Sequence, residues 1–318
     1  MKNRVLIAPA SICALIACLV PSIAVGARQG MAEAGASTVT PGAPGTESYF
    51  DLARKDCVGT ARNNRSKVWF TVADGVLSDT YWPTADATNV KTLQYLVTDG
   101  HSFTDLQTRD MTYRVLNDPT GMACTVTATS ATHHYRIVTT YLADPSRDAV
   151  VMRTRFDGPP SDQLYVRLDP LAGGTGGGGA QNAGGNTAAV VSGNGGETLL
   201  ASNPNTTTQA SNRSYAVPTD EALRSSAGLQ NASVGYAGTA SDGEMMLDAG
   251  YQLTPYDSAP DGHVALTARV PLRHHHDVTL ALGFGTDQTA ALDNAGASLH
   301  QRFDATRARY EAQWRRYD

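Results

Sequence analysis

Glutamate is scarce in this 318-residue chain, six in all, and charged residues make up only 17% of it. Cysteine is scarcer still, at four. A net charge of −5 with no basic cluster excludes the electrostatic footprint of a nucleic-acid binder. Beyond residue 25 no apolar run is long enough to span a membrane. No Gly-x-Ser-x-Gly elbow is present, so that type of serine nucleophile has no place here. What is there, 41% hydrophobic residues and 30 glycines, describes a globular body rich in loops, long enough for one large β domain or two smaller ones.

The first residues carry an export pattern. Lys2 and Arg4 precede an almost unbroken apolar stretch over residues 5–25, and Val25-Gly26-Ala27 supplies the small residues of a cleavage site. Residues 1–27 therefore read as a signal peptide, and the protein as secreted or periplasmic. The competing reading is a membrane anchor, since the stretch approaches spanning length. Pro21 and the polar chain from Arg28 onward favour cleavage. Leu15-Ile16-Ala17-Cys18 resembles a lipoprotein box, but residues 19–25 stay apolar where a lipidated cysteine leads into a polar tether. With Cys13 and Cys18 in the signal, Cys57 and Cys124 remain. In an oxidising compartment they have one intramolecular pairing, against the alternative of two separate buried thiols.

Residues 28–45 have the Ala, Gly, Pro and Thr composition of a flexible linker, with ordered chain expected from near Tyr49. From there the periodicity is that of strands. Residues 67–72 are β-branched and aromatic, closed by Asp74-Gly75. Residues 93–97, 124–128, 134–141, 149–156 and 164–168 continue the pattern, and 264–270 with 278–282 read as a hairpin. Many short strands with Gly, Pro and Asp punctuation predict an all-β antiparallel sandwich. Residues 172–235, rich in Gly, Asn, Ser and Thr, read as polar loop. The glycine run 173–179 is too indiscriminate for a phosphate cradle. At the C-terminus, Leu299, Phe303, Thr306, Tyr310, Trp314 and Tyr317 share one face of a helix that Thr286 or Asp287 would cap. That stripe must be buried, either on the sandwich or against another domain.

Chemistry is hard to find. A glycosidase needs two carboxylates facing one bond, and no pair stands out: Glu33 and Glu47 sit at the linker, Glu197 and Glu221 in the polar region, Glu311 on the last helix. His274-His275-His276 suits a polar hairpin loop better than a metal, because adjacent strand residues point to opposite faces. His133-His134 reads the same way. No cofactor is implied. Trp69, Tyr81 and Trp82 are the candidate substrate-binding residues, since flat aromatics stack on sugar rings, although residues alternating in strands equally fill a core.

Several motifs carry a family resemblance. They are Ser48-Tyr49-Phe50-Asp51-Leu52-Ala53-Arg54-Lys55-Asp56-Cys57-Val58-Gly59, Ser66-Lys67-Val68-Trp69-Phe70-Thr71-Val72-Ala73-Asp74-Gly75, Tyr81-Trp82-Pro83, Ala237-Gly238-Thr239-Ala240-Ser241-Asp242-Gly243 and Leu280-Ala281-Leu282-Gly283-Phe284-Gly285. Through them residues 41–318 resemble the N-terminal domain of bacterial glucodextranases and related glucoamylases (glucan 1,4-α-glucosidases) of glycoside hydrolase family 15. The resemblance implies an antiparallel supersandwich of two large sheets over residues 46–285. In the family, linking helices and a barrel of paired α-helices follow. The barrel carries two catalytic glutamates that release glucose from α-glucans with inversion.

No catalytic residue carries over, because the matching positions are those of the sandwich alone. Residues 286–318 then read as the start of a helical linker cut short, its stripe of Leu299, Phe303, Tyr310, Trp314 and Tyr317 facing a helical barrel in cis or in trans. The expected role is a non-catalytic domain of an α-glucan hydrolase that braces the barrel and borders its cleft. The alternatives are a freestanding carbohydrate-binding module and a scaffold for a separately encoded barrel.

Overall fold

The computed structural model describes residues 38–46, 54–85, 87–118, 122–174, 185–193, 195–204, 217–272 and 277–316, and residues 37–318 form one compact unit. The signal peptide, the triple-histidine run and Tyr317 lie outside the described residues.

The first strands are β1 (Cys57–Thr60), β2 (Trp69–Ala73), β3 (Val76–Tyr81), β4 (Val90–Thr98) and β5 (Thr104–Leu106). After the single turn α1 (Gln107–Asp110) come β6 (Met111–Asn117), β7 (Cys124–Ser130), β8 (Arg136–Ala143), β9 (Ala149–Asp157) and β10 (Gln163–Pro170). Then follow β11 (Asn186–Gly193), β12 (Gly196–Asn203), β13 (Thr219–Ser225) and β14 (Gln230–Tyr236). Helix α2 (Gly243–Gly250) leads to β15 (Ser258–Gly262), β16 (Val264–Val270) and β17 (Asp277–Gly285), and α3 (Gln288–Leu299) and α4 (Phe303–Arg315) finish the described chain.

The strands make two antiparallel sheets. One runs β1-β2-β3-β4-β10-β16-β14, with β5 beside β4; the other runs β15-β11-β12-β13-β17-β9-β8-β7-β6. Alternation builds the core between them. Leu93, Tyr95 and Val97 of β4 pair with Leu168, Val166 and Leu164 of β10, and all six are buried with Tyr141, Met152, Leu280 and Leu282 of the other sheet. The Tyr95 hydroxyl crosses the core to Thr154 Oγ1 at 2.5 Å, which satisfies a buried donor that would otherwise be costly. Asp74 and Gly75, with φ of 47° and 77°, supply the left-handed pair of a tight β2–β3 hairpin. Cys57 and Cys124 are bonded, tying β1 of the first sheet to β7 of the second across a sequence separation of 67.

Four expectations are corrected. The linker of residues 28–45 does not extend over 38–45. Val39 bridges Ser258 in parallel, Thr40 donates its N–H to Ser258, and Pro44 accepts from the His263 N–H at 2.8 Å. The edge of β15 would otherwise present unpaired backbone groups, and this extension covers part of it. The polar-loop reading of 172–235 also fails, because β11 to β14 lie within it. In the second sheet, which holds β11, β12 and β13, small side chains admit a helix closely: Ala222 and Leu200 pack with Ala281 of β17 under Ala291 and Ala295 of α3. A Cβ on Gly283 would stand 2.4 Å from the Ala291 carbonyl oxygen, so that approach requires glycine.

Residues 264–270 and 278–282 are strands but not a hairpin, since β16 pairs with β10 and β14 while β17 pairs with β13 and β9 in the other sheet. Finally, the C-terminal stripe belongs to two helices and faces the protein's own sandwich. Asp287 caps α3 through a bond from the Ala290 N–H at 2.9 Å, and the chain breaks at His300–Arg302 before α4. Leu299 packs with the alanines of α3, while Phe303, Thr306 and Tyr310 of α4 are buried. Arg153 of β9 lies 4.7 Å over the Phe303 ring and pairs with Asp304 at 2.6 Å. An amphipathic spacing fixes which face is buried but not against what, and here the sandwich itself supplies the surface.

Candidate functional site

The structure separates the three candidate aromatics. Tyr81 and Trp82 are consecutive at the end of β3 and diverge as strand geometry requires. Trp82 is buried and stacks on Phe284 with ring centroids 6.3 Å apart. Trp69 is 41% exposed and stands directly opposite half-buried Tyr81 in the β2–β3 register. Trp82 is thus core, and Trp69 with Tyr81 forms a surface aromatic pair. Val58, also exposed, lies on neighbouring β1.

The described glutamates fall into two kinds. Glu197 accepts from the Ala232 N–H at 2.7 Å, Glu311 pairs with Arg307 and Arg315 within α4, and Glu244 lies beside Arg109 and Arg167. These are structural partners. Glu221 is different: it is fully buried on β13, and among the described residues neither of its carboxyl oxygens has a hydrogen-bond partner. Its cross-strand neighbours are Ala201 of β12 and Phe284 of β17. Burial, reinforced by the charge of Asp220, holds its carboxyl well above the usual range and favours the protonated form. Trp82, whose indole nitrogen is also buried without a partner among the described residues, stacks on that same Phe284. This end of the sandwich is closed by amides: Asn89 donates to the Trp82 carbonyl at 2.8 Å and Asn203 to the Ala172 carbonyl at 2.9 Å.

A raised carboxyl is what a general acid needs, but glycoside hydrolysis needs a second carboxylate across the bond. Asp220, next in sequence, points to the opposite face of the strand and takes the Ser202 hydroxyl. The pair cannot flank a substrate.

A second buried cluster lies on the other face of the first sheet, under α2. Arg167 of β10 donates from Nε and Nη2 to the two carboxylate oxygens of Asp242, at 3.0 and 2.7 Å. Asp242 also caps α2 through the Glu244 N–H and accepts from the Gly238 N–H. Asp169 accepts from His263 Nε2 at 2.7 Å, and His263 Nδ1 faces the Thr46 carbonyl. Burial alone would raise the Asp169 carboxyl, but His263 and Arg167 outweigh it and hold it at about 2. With both imidazole nitrogens engaged, this histidine has none to offer a substrate as a base. The cluster orients α2. Sequence reasoning overlooked it because Arg167 and Asp242 are 75 residues apart, although Asp242 sits in one of the motifs carrying the resemblance.

Two concave surfaces among the described residues bear on binding. One, of about 350 Å³, is lined by Lys55, Asp56, Val58, Asn117 and Asp118 beside the disulfide. The other, of about 270 Å³, is lined by Gly100, Gln163, Tyr165, Asn231, Tyr251, Gln252 and Leu253. Among the described residues no three His, Cys, Asp or Glu side chains converge as a metal set.

Against this geometry the relatives are informative. Residues 40–318 match the family described as glucodextranase, domain N. A glucoamylase of Clostridium sp. (strain G0005) is 29% identical over 279 residues, which cover 86% of this chain and 37% of that protein. The crystal structure of a bacterial glucoamylase complexed with acarbose superposes with a TM-score of 0.77 at 29% identity, covering 88% of this chain and 39% of the other. The chain thus spans less than two-fifths of these relatives' length. With the match running from the first edge extension through both C-terminal helices, the chain belongs to the glucodextranase domain N family.

Proposed function

We propose that this sandwich is the non-catalytic domain of a secreted α-glucan hydrolase of glucoamylase type, where it braces a helical catalytic barrel, in cis or in trans, and borders the substrate cleft. The observation that carries this reading is the extent of the relationship: the match occupies 37% of a glucoamylase and coincides with one compact β unit here. The chemistry of the described carboxylates supports it, since the one strongly perturbed glutamate, Glu221, is sealed in the core.

The surface also favours a barrel contact at one corner. Trp314 at the end of α4 bonds to Thr60 of β1, and Thr60 stands opposite Trp69 in the β1–β2 register. The end of the last helix, exposed Trp69 and Val58 therefore form one apolar neighbourhood. Such a patch suits burial against a partner domain. The test is a chimera in which this domain replaces the sandwich of the matching bacterial glucoamylase. It should melt above the isolated barrel, and Trp69→Arg should remove most of that gain. A chimera melting no higher than the barrel alone contradicts the proposal.

A second reading rests on the same Trp69–Tyr81 pair, an exposed indole beside a half-buried phenol that together present a stacking platform for a sugar. It expects α-glucan affinity in the isolated chain that Trp69→Ala removes.

A further inference from the structure

We propose that the pocket between Tyr251 and Gln163 binds a single neutral sugar ring of an α-glucan, as a site separate from any cleft on a catalytic barrel. The choice of glucan rests on the family reading above; the pocket's chemistry stands independently of it.

The pocket lies on the face of the first sheet that carries α2. Its floor is Tyr165 of β10, only 4% exposed and packed with Leu96, Leu106 and Leu247, with Leu253 beside it. One wall is the segment leaving α2, Tyr251 to Leu253; the other is Gly100 after β4 and Asn231 of β14. No lining residue is charged. Arg269 of β16 stands opposite Tyr165 in the β10–β16 register but is not among the lining residues, and with no acidic side chain in the lining a cation would find no partner there. What the lining offers is two tyrosine rings and three amides, the combination of flat apolar faces and neutral paired donors and acceptors that matches a pyranose.

The polar groups are also available. The Tyr165 hydroxyl donates to Gln163 Oε1 at 3.2 Å, which fixes that amide and leaves its nitrogen directed towards Gly100. A side chain at position 100 would meet that nitrogen at 3.2 Å, and φ of 84° there demands glycine in any case. The side-chain amides of Asn231 and Gln252 and the Tyr251 hydroxyl make no hydrogen bond within the described residues. Asn231 and Gln252 are exposed, so their amides face solvent and are open to a ligand.

The backbone points the same way. Tyr251 caps α2 in the left-handed region, at φ 59°, although glycine occupies the position just before it. Asn231 on the facing strand is left-handed too, at φ 49°. Asparagine adopts this conformation readily; tyrosine does so at a steric penalty that a glycine would avoid. Placing Tyr251 there turns an aromatic ring to the pocket's wall, and sparsely populated backbone of this kind gathers at ligand sites. The volume, about 270 Å³, falls just under the roughly 300–1,000 Å³ usual for small-ligand pockets and suits one ring rather than a chain segment.

The test uses the purified mature chain, titrated calorimetrically with methyl α-glucoside, maltotriose and isomaltotriose. Weak binding is expected, with a Kd on the order of 1 mM for at least one of the three. Tyr251→Ala and Gln252→Ala should each weaken it about tenfold or more, while Leu116→Ala, at an exposed position on β6 of the other sheet, leaves it unchanged. Gln252 is exposed, so its variant reports on the pocket even if Tyr251→Ala disturbs the end of α2. Affinity lost in Trp69→Ala but kept in both pocket variants overturns the pocket and moves the sugar to the surface aromatic pair. Absence of binding to all three probes overturns it as well, and leaves the barrel-bracing role to be judged by the chimera.

Discussion

The indole Nε1 of Trp314 donates to the main-chain oxygen of Thr60 at 2.9 Å, fastening the last turn of α4 to edge strand β1. Three turns earlier Phe303 is buried beside β9, and between them the Tyr310 hydroxyl donates to the Met122 carbonyl at 3.0 Å. The helix is therefore part of the sandwich. Tyr310→Ala should destabilise the chain by about 3–5 kcal/mol, and Trp314→Phe, which keeps an aromatic ring but loses the bond, by about 1 kcal/mol. Urea unfolding measures both. Unchanged midpoints would mean that α4 is not docked on the sandwich.

Glu221 makes stability depend on pH in a definite direction. Its carboxyl is raised in the folded state by burial, whereas the unfolded chain ionises near pH 4.3, roughly the free glutamate value. Below that value both states are protonated and Glu221 exerts no pH effect. As pH rises, the unfolded state releases its proton first, so stability falls through the window from there to the folded pKa. Each pH unit of that window lowers stability by about 1.4 kcal/mol. Glu221→Gln should flatten this decline and be the more stable protein at neutral pH, as read from melting temperatures between pH 4 and 8. Parallel profiles for the two proteins would contradict the burial of an unpartnered acid.

The Arg167–Asp242 pair should behave as a unit. Removing one charge strands the other away from water, so Arg167→Met should cost about 3–5 kcal/mol. The double variant Arg167→Met, Asp242→Asn should lose clearly less than the sum of the two single changes. A double-mutant cycle from unfolding curves decides it, and simple additivity would show that the two do not share a buried contact.

Cys57–Cys124 closes a long loop between the two sheets. Reduction should lower unfolding free energy by about 2–4 kcal/mol, with the far-ultraviolet dichroism of the folded state retained. An identical midpoint with and without reductant would place the two cysteines apart.

How far the sequence discloses all this depends on residue chemistry. Strands such as β2, β4 and β8 announce themselves by β-branched and aromatic alternation, and Asp74-Gly75 marks its own turn. The strands β11 to β13 do not, because their Ala, Ser, Thr and Asn residues suit the close approach of α3 to that sheet and the amide plugs at the sandwich end. The spacing of Phe303, Thr306, Tyr310 and Trp314 identifies a buried face; only the fold reveals that β8, β9 and β1 cover it. Glu221 looks like an ordinary polar residue because its isolation arises from strands distant in sequence. The Tyr251 pocket gathers three separate stretches, each of which reads as an ordinary turn or strand end. Gly250 preceding an aromatic was its one local signal.

The proposed bracing role requires that this sandwich does not itself hydrolyse glucan. Glucose release from maltotriose and isomaltotriose by the purified chain tests it most directly. The account predicts none above the buffer blank, in the parent protein and in Glu221→Gln alike. Glucose release by the parent chain that Glu221→Gln abolishes would contradict it, and would make the buried acid a catalytic one.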